Sequence, residues 1–157
     1  MPEKAVDFLE EIVSITRSLG QHKVIEILRY AKKYSQTNDP EQLIREYIVS
    51  CICIEFKTGK TTLIKGRENG NRPQALMFCY ALMHQHLEYS YDKIGKYFGG
   101  KPRDQVGKVL KKFRALDPQN RIDKKILDVY NQLEAHIQQF ITELKKQNFN
   151  KKGDKEM

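Results

Sequence analysis

No run of 18 consecutive apolar residues occurs in this 157-residue chain, so no membrane-spanning helix is expected. Its first residues, MPEKAVDFLEEIV, lack a basic segment followed by an apolar one, so no signal peptide is expected either. Cysteine is sparse: Cys51, Cys53 and Cys79 are an odd set in apolar surroundings. That speaks against a disulfide framework and fits reduced thiols in a cytoplasmic protein. Acidic residues are scarce in one region. Between Lys57 and Arg114 there are 13 Lys/Arg and only 4 Asp/Glu, a local net of +9. The other positions hold 15 basic and 16 acidic residues, a net of −1, so the whole positive excess of the chain lies in its middle. A basic segment that neutralises phosphates gains affinity by releasing counterions. The bland alternative is a solvated basic surface with no polyanion partner.

Chemistry-bearing constellations are also missing. TGKTT at Thr58–Thr62 looks like part of a phosphate-binding loop. That loop needs a glycine five residues before Gly59, and Ile54 stands there. His84 and His86 are two residues apart, so on a helix they point to different faces and cannot easily share a metal with Cys79. Cys51 and Cys53 have the same difficulty, and no CxxC pair exists. Ser90 has no evident base or orienting partner, and the carboxylates are scattered. No catalytic residue, cofactor or metal is therefore expected, and the chain does not read as an enzyme. There is no internal repeat.

What is present is helix. DFLEEIVSITRSL and KVIEILRYAKKY each carry an apolar stripe at i, i+3, i+4 spacing, so residues 1–39 read as an N-terminal helical pair. SQTNDP is a polar linker. A third helix starts near Pro40, a residue suited to a first turn, and carries Leu43, Ile44, Tyr47, Ile48, Cys51, Ile52 and Phe56. IVSCICIEF nearly alternates and could be a strand, but no partner strand is evident, so helix is preferred. KTGKTTLIKGRENGNRP reads as a glycine-containing basic loop, followed by the helix QALMFCYALMHQHL. A last helix carries Ile122, Ile126, Val129, Leu133, Ile137, Phe140 and Leu144 at heptad-like spacing. It suits a lid on the core or a dimerisation arm. Residues 148–157 read as a disordered tail.

The segment SYDKIGKYFGGKPRDQVGKVLKKFRAL divides at Gly99-Gly100 into helices of about 91–98 and 102–116. A helix-turn-helix needs this: a short helix, a tight turn, and a second helix with one buried face and one exposed face. Val106, Val109, Leu110 and Phe113 fall on one side of the second helix at ~100° per residue. Asp104, Lys108, Lys111 and Lys112 lie opposite, with Arg103 on the flank of the first turn. Such a face can touch base edges and phosphates. Gly107 would let the helix approach a backbone closely.

RPQALMFCYALMHQHLEYSYDKIGKYFGGKPRDQVGKVLKKFRAL resembles the C-terminal DNA-binding domain of the bacterial chromosomal replication initiator, DnaA. That family carries an arginine before a helix of the type iAmyL, then IGxxFGGRDHTTV, then a basic helix. Here Arg72 precedes ALMFCYALM, and IGKYFGG runs into KPRDQV without a gap. A weaker likeness extends over about 41–133; residues 1–39 match nothing recognised. The resemblance implies an all-α helical bundle with a DnaA domain IV-like (Trp-repressor-like) helix-turn-helix. Residues 40–147 would form that domain, free-standing and without the family's ATPase module.

The resemblance also implies DNA-contacting positions: Lys101, Arg103, Asp104, Gln105, Lys108, Lys111 and Lys112 on and before the second helix, with Arg72 matching the family's basic-loop arginine and Arg67 as runner-up. Where the family has Arg-Asp-His-Thr-Thr, this chain has Lys101, Pro102, Arg103, Asp104 and Gln105. The family's box specificity is therefore not carried over. Arg103 can take a guanine bidentately and Asp104 can accept from a cytosine amino group. The expectation is a cytoplasmic, nucleoid-associated protein that binds double-stranded DNA as a transcriptional regulator or accessory replication factor. It could dimerise through its N-terminal or C-terminal helices. The alternative is an interaction module that kept the fold and lost base readout, motivated by Pro102 and Asp104. Structured RNA is a third possible partner for the same face.

Overall fold

Six α-helices and no strand make up the described residues of the computed structural model, which describes residues 39–66, 70 and 72–156, with side chains through position 146. The all-α fold class expected from the sequence is the one found. The expected N-terminal helical pair, Asp39 apart, lies outside the described residues, as does Arg67. No helix of the described residues is long and apolar enough to cross a membrane.

Helix α1 (Pro40–Glu55) begins as its sequence demands. Asp39 caps it by accepting from the Glu41 amide at 3.3 Å, and Pro40 fills the first turn, where a missing N–H costs nothing. The ambiguous IVSCICIE stretch is helical. Its residues from Val49 to Cys53 are all buried, because α1 lies between the central helix and the last one. The helix ends with Lys57 in the left-handed region (φ 52°), which lets the Thr58 amide bond the Cys53 carbonyl at 2.9 Å.

Helix α2 (Lys60–Lys65) falls where a plain loop was expected. Six residues cannot hold a helix in water alone. Here Leu63 is fully buried and an arginine from the next helix secures the C-terminal carbonyls. Helix α3 (Arg72–Leu87) is the hub. It touches all five other helices, and Ala75, Leu76 and Phe78 to Met83 are buried. A helix apolar all round belongs inside a bundle.

Helix α4 (Tyr91–Tyr97) and helix α5 (Arg103–Arg114) form a pair packed on α3. Helix α6 (Arg121–Glu156) follows a turn in which Asn120 Oδ1 accepts from the Ile122 and Asp123 amides. It packs on α1 and α3 through Tyr130, Leu133, Ile137, Phe140, Ile141 and Leu144. Tyr47 of α1 stacks on Phe140 at 4.0 Å between ring centroids. Ile122, the first residue of the expected stripe, is 70% exposed and takes no part. The helix is described as far as Glu156.

Candidate nucleic-acid interface

The α4–α5 pair is built from a few enforced contacts. Ser90 caps α4 by accepting from the Lys93 amide at 3.2 Å. Ile94 and Phe98 are buried, and the Phe98 ring meets Tyr80 of α3 edge-on at 5.2 Å. After Phe98 the chain reverses through Gly99 (φ 87°) and Gly100 (φ 80°), conformations that only glycine adopts cheaply. The Gly100 and Lys101 amides both bond the Gly95 carbonyl at 2.9 Å, which closes the end of α4. A Cβ at Gly95 would come within 2.1 Å of the Lys101 carbonyl oxygen, so the turn folds directly onto α4 only because that residue is glycine.

Pro102 is the N-cap of α5 rather than its first helical residue; its ψ of 145° is extended. From there α5 turns Val106 and Leu110 into the core, with Val109 and Phe113 packed partly against it. Phe113 meets Tyr130 of α6 at 4.6 Å. Tyr91 of α4 braces the outer flank. Its ring lies 3.5 Å from where a Gly107 Cβ would be, and its hydroxyl accepts from Arg114 Nη2 at 2.7 Å. Gly107 thus faces Tyr91, not open space, which corrects its expected role in close backbone approach.

Arg103, Asp104, Lys108, Lys111 and Lys112 are all exposed along α5. Lys101 and Gln105 are half-buried and have contacts within the fold. Seven of the nine sequence-derived positions therefore lie on α5 or the turn before it. Arg72 does not join them. It is only 7% exposed, at the start of α3. Its Nε donates to the Thr62 and Leu63 carbonyls at 3.1 Å, and Nη2 reaches the Ile64 carbonyl at 3.4 Å. The expected DNA contact at Arg72 is corrected to a clamp on the end of α2. Buried guanidinium groups need partners, and Nε and Nη2 find them in three carbonyls at the end of α2, of which that of Thr62 also accepts from the Gly66 amide at 2.8 Å.

Other cations of the basic segment are also spoken for. Lys60, the lysine of TGKTT, pairs with buried Glu46 at 2.8 Å. Lys93 pairs with Glu41 of α1 at 2.9 Å, and Tyr89 Oη donates to the same carboxylate oxygen at 2.8 Å. These two bonds hold the Glu41 carboxyl below its ordinary range. The sequence reading passed over Lys96, which is exposed in the last turn of α4, and Arg114, whose link to Tyr91 no spacing rule reveals. His84 Nδ1 is 2.9 Å from the Tyr89 carbonyl, and His86 Nε2 is 3.5 Å from Glu134 of α6. Cys79 is fully buried, and burial pushes its thiol well above the ordinary range.

Helix α5 thus carries five cations and one carboxylate on a firmly seated frame. Three of the cations sit in its last turn, where they also oppose the partial negative charge of the helix end. Comparison with family models, with curated proteins and with solved structures found no match in any of the three.

Proposed function

We propose that the chain binds double-stranded DNA through α4 and α5, with α5 lying in the major groove as the reading helix. The observation that carries this reading is the exposed face of α5, where Arg103 and Asp104 open the helix and Lys108, Lys111 and Lys112 follow. Groove-reading helices use their first turn for base edges, while lysines further along reach phosphates. The packing of α5 against α3, α4 and α6 leaves that face uncovered by the described residues. The likeness of IGKYFGG and the basic helix after it to the DnaA C-terminal domain supports the same use of the motif. On this reading the protein works at the nucleoid, as a transcriptional regulator or an accessory replication factor. A second copy would extend recognition to a palindromic site.

The test is duplex binding across a salt series. Lys111→Ala should weaken binding to all sequences about equally and lower the salt slope by about one. Arg103→Ala should relax base preference instead. If neither variant changes binding to any duplex, α5 is not the contact surface.

A further inference from the structure

We infer that Asp104 is the selectivity residue of α5: it favours a base amino group, best a cytosine N4 in the major groove, and penalises registers that set it against a phosphate or an acceptor edge. The inference rests on the DNA-binding reading above. Four observations carry it. Asp104 is exposed at the start of α5 and makes no hydrogen bond or ion pair with any described residue. It is the one carboxylate of the helix, set among five cations. With ~100° between successive residues, it falls on the same outward arc as Lys108 and Lys111, opposite Val106 and Leu110. Neither Lys108 four residues on nor the adjacent Arg103 is paired with it, so the carboxylate stays available.

A carboxylate there has two ways to behave near a duplex. Facing a phosphate it is repelled, and facing a purine N7 or O6 it finds acceptors where it needs donors. Facing a cytosine N4 amino group it accepts a hydrogen bond without a conflict, whereas the adenine N6 amino group lies beside the N7 acceptor, which repels the second carboxylate oxygen. Lys111 stands seven residues along the helix, about 10 Å from Asp104 at 1.5 Å per residue. That span is close to the ~12 Å width of the major groove, so lysine and carboxylate can engage phosphate and base edge at the same time. Arg103, one residue earlier on the flank, suits a neighbouring guanine. The face is therefore adhesive at its lysines and discriminating at one point.

The experiment is selection of bound duplexes from a random pool by the full chain, repeated with Asp104→Asn and Asp104→Ala. Wild type should enrich a motif containing a C·G pair. Both variants should lose preference at that pair while binding random duplex several-fold more tightly, because the repulsion from phosphate is gone. Asp104 is exposed, so thermal unfolding of the variants should match wild type. A wild-type pool that stays flat while binding remains salt-dependent overturns the selectivity role and leaves DNA binding standing. An unchanged motif in both variants does the same. Absence of any duplex binding by wild type overturns both readings.

Discussion

Gly95 shows how much of the α4–α5 geometry hangs on one missing methyl. Its carbonyl closes the end of α4 through two amides, and the Lys101 carbonyl presses where its Cβ would stand. Gly95→Ala leaves a 2.1 Å contact with backbone, which no side-chain rotation relieves. Forced overpacking of this kind costs about 1–3 kcal/mol. We expect urea unfolding to report a loss of about 3 kcal/mol, at the top of that range because the atom met is main chain. An unchanged midpoint would show that the turn relaxes without cost. The IGxxFGG spacing marked this glycine as part of a motif. Its physical reason, a through-space contact with a residue six positions on, was invisible in the linear pattern.

At the scale of the element, the short helix α2 and Arg72 depend on each other. Three carbonyls of α2 accept from one guanidinium, and that guanidinium is buried beside them. Arg72→Met should cost about 2 kcal/mol, since charged hydrogen bonds are worth ~1.5–3 kcal/mol each and water can replace part of what is lost. It should leave the salt slope of duplex binding unchanged under conditions where the variant is folded. A phosphate-contacting arginine would instead lower that slope by about one. The same pair shows where sequence reasoning stops. Helix starts were legible wherever the cap is local, as at Asp39-Pro40 and Ser90, and the break at Gly99-Gly100 was legible because only glycine suits it. The faces of α5 followed from periodicity. Helix α2 was missed because TTLIK has little intrinsic preference for helix, and its support comes from a residue ten positions away. Arg72 was misplaced for the same reason: whether a basic residue faces solvent or carbonyls is decided by packing, which a charge count does not contain.

The whole molecule adds a pH dependence that no single helix would show. His86 of α3 sits against α6, where burial pushes its imidazole below the ordinary value of 6.5 while Glu134 pulls the other way. The unfolded chain therefore takes up this proton before the folded one does. The contribution of His86 to stability is complete above pH 6.5 and is lost as pH falls from there through the folded value. Melting temperature should hold above about pH 6.5 and drop as pH falls below it, since the folded-state value lies lower still. His86→Gln should show a shallower drop. An equal slope in the variant would assign the effect elsewhere.

The stacking of Tyr47 on Phe140 joins α1 to α6 across most of the described chain. Helices α3 to α5 are neighbours in sequence and can associate as soon as they are made. The partner for Tyr47 comes about 90 residues later, and ribosomes add ~5–20 residues per second. For several seconds of synthesis, then, Tyr47 and one side of Phe78 have no cover from α6. The nascent chain keeps that apolar surface uncovered until α6 emerges. Messages truncated before Phe140 should yield aggregates in place of a smaller folded protein.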